Sequence, residues 1–143
     1  MTTGEKILVQ AAAVLLILTP VGCVTSGKIL DLGDVAEHDQ MVKTAVTPVI
    51  VEYYKDICPP CDWQVLELER LYDAYGTRVM FLKLKVRYAW ITPIDAEFVG
   101  RTGLTWTPTT IMYVDGQEVY RWITFESANK MQSIIEVILE SAE

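Results

Sequence analysis

Residues 49–62 constrain this chain more than any other stretch. Val49–Tyr54 (VIVEYY) is a β-branched and aromatic run that reads as a buried strand. Four residues later Cys58-Pro59-Pro60-Cys61 opens a helical pattern, with Val65, Leu66, Leu68, Leu71 and Tyr72 at inward spacing and Gly76 as a stop. A strand that turns into a helix across a Cys-x-x-Cys places Cys58 at the helix N-terminus. Unpaired N–H groups and the helix dipole favour an anion there, and a thiolate is the attacking species in disulfide exchange. Pro59 and Pro60 suit a first helical turn. They also remove two donors, which leaves the N–H groups of Cys61 and Asp62 to face the Cys58 sulfur. Cys61, one turn on, is within closing distance and can resolve a mixed disulfide formed at Cys58.

The pair has two other readings. A Cys-x-x-Cys can be half of a zinc site, but a closed structural site needs four ligands. The only other cysteine is Cys23 and the only histidine is His38. A purely structural disulfide is the second alternative. The expectation is no metal and no cofactor beyond the cysteine pair itself.

The rest of the chain reads as one α/β domain. A short strand is expected at 29–32. Asp34 caps a helix running to about Ala45, with Val35, Met41 and Val42 inward. A strand at 78–86, a short link at 87–92 and a helix at 93–102 follow. Thr109–Val114, the Asp115-Gly116 turn and a strand at 118–124 form a hairpin. A closing helix at 126–141 turns Met131, Ile134, Ile135, Ile138 and Leu139 inward. The order is β-α-β-α-β-α-β-β-α. Early alternation implies parallel strands with crossover helices, and the hairpin adds antiparallel ones, so the central sheet is mixed and flanked by helices.

The first 26 residues are expected to lie outside this domain, which occupies 27–143. Residues 7–21 are apolar except Gln10, Thr19 and Pro20. The run is short of the roughly 20 residues a membrane span requires. It fits the apolar region of a secretory signal. Gly22-Cys23 directly after it resembles a bacterial-type lipoprotein cleavage site, although Pro20 stands where Leu is usual. Residues 1–26 therefore read as a signal peptide, a lipoprotein signal or a membrane anchor, with Cys23 as the candidate for lipidation. An extracytoplasmic, membrane-associated location is expected, and a cytoplasmic one is the alternative. The net charge of −7 and the lack of a basic run argue against nucleic acid as a partner. The chain is expected to be a monomer.

Three segments together resemble the thioredoxin family. GKILDLGDVAEHDQMVKTA resembles its first strand and helix, PVIVEYYKDICPPC its strand and redox loop, and TGLTWTPTTIMYVDGQEV its cis-proline loop and hairpin. The resemblance covers about residues 28–143 and implies the thioredoxin fold. It implies that Cys58 is the nucleophile and Cys61 the resolving thiol. Pro108 matches the proline that follows a cis peptide bond, so Thr107-Pro108 should be cis, with the Thr107 backbone offered to an extended substrate. Glu52 matches a buried carboxylate that moves the proton of the resolving cysteine, where thioredoxin has Asp and protein disulfide isomerase has Glu. A carboxylate in that apolar run would have a raised pKa and act as a base; the bland alternative is a solvated Glu at an edge. Lys83 matches a partner for the carboxylate, with a solvated lysine as its alternative.

Several departures from the family pattern bear on partners. Ile57 replaces the Trp that usually precedes the first Cys, and Pro59 replaces a Gly. Asp62 replaces a Lys, so with Asp56 the rim is acidic. The glycine usual after the hairpin is not evident in YRWITFES. Trp106 reads either as an aromatic surface beside the sulfur or as core. Pro59, Pro60, Trp106, Thr107 and Pro108 are the expected substrate-contacting residues. Expected partners are protein dithiols and disulfides, an upstream electron donor or acceptor, and a membrane through the N-terminal segment. The alternatives are a redox-inert binding module on the same fold and a general cytoplasmic thioredoxin.

Overall fold

The computed structural model describes residues 28–89, 92–93 and 95–142. The N-terminal segment 1–26, with Cys23, lies outside the described residues. The elements are β1 (Leu30–Leu32), α1 (Val35–Thr44), β2 (Val49–Tyr54), α2 (Pro59–Tyr75), β3 (Met80–Lys85) and β4 (Tyr88–Ala89). They continue with β5 (Thr92–Pro93), α3 (Ala96–Thr102), β6 (Thr109–Val114), β7 (Gln117–Ile123) and α4 (Ala128–Ser141). Five strands form the central sheet in the order β1-β3-β2-β6-β7. β1 and β2 run parallel to β3, and β6 is antiparallel to both β2 and β7. The sheet is mixed, as the alternation of elements implied.

Local chemistry sets the boundaries. Asp34 caps α1 by accepting from the Glu37 N–H at 2.8 Å, and the Glu37 carboxylate reaches back to the Gly33 N–H at 2.7 Å. α2 begins with the two prolines and stops at Gly76, whose N–H donates to the Tyr72 carbonyl. Val114 pairs with Gln117, so Asp115 and Gly116 alone turn the hairpin. Both have positive φ, 51° and 74°, which is the two-residue turn that matches strand twist.

The link after β3 departs from the sequence reading. It contains the small antiparallel ladder of β4 and β5, and Pro93 pairs with Tyr88 there instead of opening a helix. Helix α3 begins only at Ala96. Proline's fixed φ suits an extended residue as well as a first helical turn. The Asp95 carboxylate accepts from the Arg87 N–H at 3.1 Å and its guanidinium at 2.6 Å, which ties the helix start to the end of β3.

β2 is buried on both faces because helices cover each side. Val51 and Tyr53 pack with Leu82, Leu84 and Ile111 beneath Val42 of α1 and Phe98 of α3. Ile50, Phe81 and Met112 pack beneath Leu68 and Leu71 of α2 and Met131 and Ile135 of α4. Two inward assignments change. Cys61, Gln64, Leu68, Leu71 and Tyr75 form the buried stripe of α2, and Leu66 is exposed because it falls outside that spacing. His38 is buried on α1.

Candidate active site

Cys58 is the N-cap residue of α2, and its sulfur is joined to that of Cys61. Cys58 is 7 % exposed and Cys61 2 %, so the first sulfur is the more accessible one. One expectation about this turn does not hold. The N–H groups of Cys61 and Asp62 donate to the Cys58 carbonyl, at 2.9 and 3.3 Å, and not to its sulfur. With the prolines supplying no N–H, the dipole of α2 is what the first turn offers the sulfur.

Three segments surround the pair. Ile57, just before Cys58, is 97 % exposed and has φ 52°, a left-handed conformation that is costly for a β-branched residue. The Thr107-Pro108 peptide is cis, and Thr107 Oγ1 lies 3.8 Å from Cys58 Sγ. Thr109 donates its hydroxyl to the Trp106 carbonyl at 2.8 Å, which holds the loop in shape. Trp106 is 65 % exposed, so it is surface and not core. Trp63 on the first turns of α2 is also exposed. At the acidic rim Asp56 is paired with Lys85 at 2.7 Å.

A polar row crosses the central sheet. The register aligns Asp31 with Lys83, Lys83 with Glu52, Glu52 with Thr110, and Thr110 with Trp122. Directly paired residues point to the same face of a sheet. Glu52 alternates with Tyr53 and so lies on the α2 side, with Ile50. It is fully buried, and neither carboxylate oxygen has a hydrogen-bond partner; the buried Thr110 hydroxyl also lacks one. Burial pushes the Glu52 pKa up to about 8, against the pull of the Lys83 ammonium, with Asp62 and Asp31 adding to the rise. The solvated reading of Glu52 is excluded. Lys83 is its register neighbour but gives its ammonium to Asp31 at 3.2 Å and lies 5.2 Å from the centre of the Tyr54 ring. It acts on Glu52 through space and not through an ion pair.

Two polar clusters were not read from the sequence. Gln64, fully buried on α2, donates to the Glu126 carbonyl at 3.1 Å and accepts from the Glu126 N–H at 2.8 Å. Glu67, one turn on, accepts from the Ala128 N–H at 2.8 Å. Together they fasten the dithiol helix to the β7–α4 connection, where Thr124 stands at φ 69°. On the opposite face His38 Nε2 is 2.7 Å from the Tyr53 hydroxyl, which is 2.7 Å from the Tyr113 hydroxyl. His38 Nδ1 bonds Asp39, which pairs with Arg101. Burial lowers the His38 pKa. Partners far apart in sequence create both clusters, and only the isolated polar letters on helical stripes hint at them. Among the described residues no group of three or more His, Cys, Asp or Glu side chains is placed to hold a metal ion, and no helix is long and apolar enough to cross a membrane.

Comparison with known proteins agrees with this geometry. A curated relative, thioredoxin Y, chloroplastic, of Oryza sativa subsp. japonica, is 25 % identical over 108 residues. That match covers 76 % of this chain and 61 % of the relative, so the chain spans about three-fifths of its length. Among solved structures, the thioredoxin of Malassezia sympodialis (Mala s 13) superposes with a TM-score of 0.60 at 19 % identity, covering 76 % of this chain and 88 % of that one. A structure from work on thiol resolution in yeast mitochondrial 1-Cys peroxiredoxin via glutathione/thioredoxin systems gives 0.59 at 21 %, covering 76 % and 94 %. These two likenesses concern the fold. The family model described as Thioredoxin matches residues 32–140, and the chain belongs to the thioredoxin family.

Proposed function

We propose that this protein is a thiol–disulfide oxidoreductase that exchanges electrons with protein disulfides through Cys58 and Cys61. The observation that carries the reading is the joined pair at the start of α2 with a buried, unpartnered carboxyl on β2, the strand that leads into it. A substrate docks along the cis-proline loop, with the Thr107 backbone pairing to an extended segment and Pro59, Pro60 and Trp106 forming its walls.

In the reducing direction the Cys58 thiolate attacks one sulfur of a substrate disulfide. A Cys58–substrate disulfide forms and the other substrate sulfur leaves as thiolate. The Cys61 thiol then gives its proton to the Glu52 carboxylate and attacks Cys58. The Cys58–Cys61 disulfide closes, and the substrate departs with both sulfurs reduced. Two electrons pass from the pair to the substrate. Recharging begins as the second step run backward: a donor thiolate attacks Cys58, Cys61 leaves, and protonated Glu52 returns the proton; a second donor thiolate then attacks the donor sulfur, the donor disulfide forms and Cys58 leaves as thiolate. With a pKa of about 8, Glu52 is mostly protonated at neutral pH, so the reducing step draws on its ionised minority and recharging on its protonated majority.

The segment 1–26 is proposed to tether the domain outside the cytoplasm, through a lipidated Cys23 or an uncleaved anchor. The composition of residues 7–21 and the Gly22-Cys23 pair support this. Cys23 lies only six positions before Ile29, so a tether would hold the dithiol near the membrane and favour partners there. Two acyl chains would anchor it stably, one only marginally.

Insulin reduction by the full chain tests the chemistry. Cys58→Ser should abolish turnover, and Cys61→Ser should accumulate mixed disulfides with substrate. Absence of turnover in the unaltered chain with a competent donor would leave a redox-inert binding module. The mass and N-terminus of protein from native membranes test the tether. An intact Met1 in the soluble cytosolic fraction would overturn it.

A further inference from the structure

We infer that Asp31 is a positioning residue for the dithiol chemistry: by holding the Lys83 ammonium on β1's side of the sheet, it keeps Glu52 without a counter-ion and so in its proton-carrying form. The inference rests on the reading of Glu52 as the proton carrier and adds the residue that governs it.

The register supplies the argument. Asp31, Lys83 and Glu52 stand in one row across β1, β3 and β2, so Lys83 has a carboxylate neighbour on each side. Its ammonium goes to Asp31, at 3.2 Å. The Tyr54 hydroxyl donates to both Asp31 oxygens at 3.1 Å, and the Tyr54 ring lies beside the ammonium. Tyr54 thus fixes the carboxylate that fixes the lysine. Desolvation decides the choice between the two carboxylates: Asp31 is about half exposed and keeps its charge cheaply, whereas Glu52 is fully buried. Moving the ammonium inward would desolvate two charges at once. The groups that bear on Glu52 are Lys83 from β3, Asp31 from β1 and Asp62 from α2, with Thr110 opposite it on β6. Of the charged ones only Lys83 favours ionisation, and Asp31 draws it away.

Two consequences of removing the Asp31 charge run the same way. A negative charge near Glu52 disappears, and Lys83 is free to turn toward it. Both lower the proton affinity of Glu52. The neutral, isosteric Asp31→Asn is the variant to use, and Asp31→Glu should restore the original behaviour by restoring the charge.

The test follows the Glu52 carboxyl by carbon-13 NMR titration of the oxidised full chain, with the resonance assigned by Glu52→Gln. The Glu52 midpoint should fall from about 8 toward the ordinary carboxylate range in Asp31→Asn. The same substitution in a Lys83→Met background should produce a clearly smaller fall, because no ammonium remains to be released. A midpoint that stays or rises in Asp31→Asn overturns the inference, and so does an equal fall with and without Lys83. A second readout separates this from the reading on which it rests. In a Cys23→Ser background, release of thionitrobenzoate from Cys58 reports the attack by Cys61. Its pH profile should move down with the carboxyl, with at least about a threefold gain near pH 6.5. A shifted carboxyl with an unshifted profile upholds the control of the Glu52 carboxyl by Asp31 but overturns Glu52 as the proton carrier, and with it the bearing of Asp31 on the dithiol.

Discussion

Glu52 shows how much one buried residue can contribute to both function and instability. Its carboxyl binds a proton in the folded chain that the unfolded chain releases above its ordinary value of 4.5. Its contribution to stability is therefore fully present below about pH 4.5, declines as pH climbs, and is lost above about 8. Glu52→Gln keeps the shape and removes the titration. It should stabilise the oxidised protein by roughly 1–3 kcal/mol near pH 8–9 and change little near pH 5. Denaturant unfolding at the two pH values checks this, and an equal gain at both would assign the effect to packing. Trp106 gives a second prediction. It is exposed beside the cis-proline loop, so Trp106→Ala should leave stability within about 0.5 kcal/mol. It should reduce kcat/KM several-fold for protein disulfides and much less for a small aromatic disulfide, in paired assays. Glu52 was legible in the sequence as a lone carboxylate in an apolar strand. The ammonium of Lys83 was not, because its choice between Asp31 and Glu52 depends on the third strand in the row.

Helix α2 was readable from its prolines, its spacing and Gly76, yet its long-range fastenings through Gln64 and Glu67 were hidden. Gln64 looks like an ordinary polar residue on a surface helix. Its partner, the Glu126 backbone, lies 62 residues away, and no local pattern announces it. Gln64→Leu removes both hydrogen bonds to the Glu126 backbone, and a contact to the Met131 sulfur, and leaves the Glu126 N–H and carbonyl to find others. The expected cost is about 2 kcal/mol, with amide exchange accelerated selectively across 124–128. Uniform acceleration over the whole of α2 and α4 would mean that the residue serves packing instead. The small β4–β5 ladder was missed for a different reason: a proline is equally at home at a helix start and in an extended segment, and the ion pair of Arg87 with Asp95 decided between them. The hairpin was legible in full because Asp-Gly answers a purely local demand for positive φ.

At the scale of the whole molecule, His38 on one face of the sheet and Glu52 on the other are buried titratable groups with opposite sensitivity. On the α1–α3 face, burial makes His38 give up its proton more readily than the unfolded chain does. Its contribution is present above the ordinary value of 6.5 and falls as pH drops below it. On the α2–α4 face Glu52 acts in the other direction. Stability against pH should therefore pass through a maximum in the mildly acid range, with Glu52→Gln flattening the alkaline limb and His38→Gln the acid one. A curve that stays level between about pH 5 and 8 would contradict both assignments. The mixed sheet and its flanking helices were readable from alternation and periodicity, whereas the strand order, and with it the polar contents of each layer, depends on which strands become neighbours.

The unpartnered carboxyl on β2 also bears on the chain's history. A lineage that keeps the fold only as a docking platform has no use for such a group, and nearly any apolar replacement of similar volume would make it sturdier. Substitutions of that kind lie a nucleotide or two away and would spread unopposed once turnover ceased to matter. If Cys58 and Cys61 exchange electrons as proposed, a central strand that still carries the defect is what selection for that chemistry would retain at the cost of robustness.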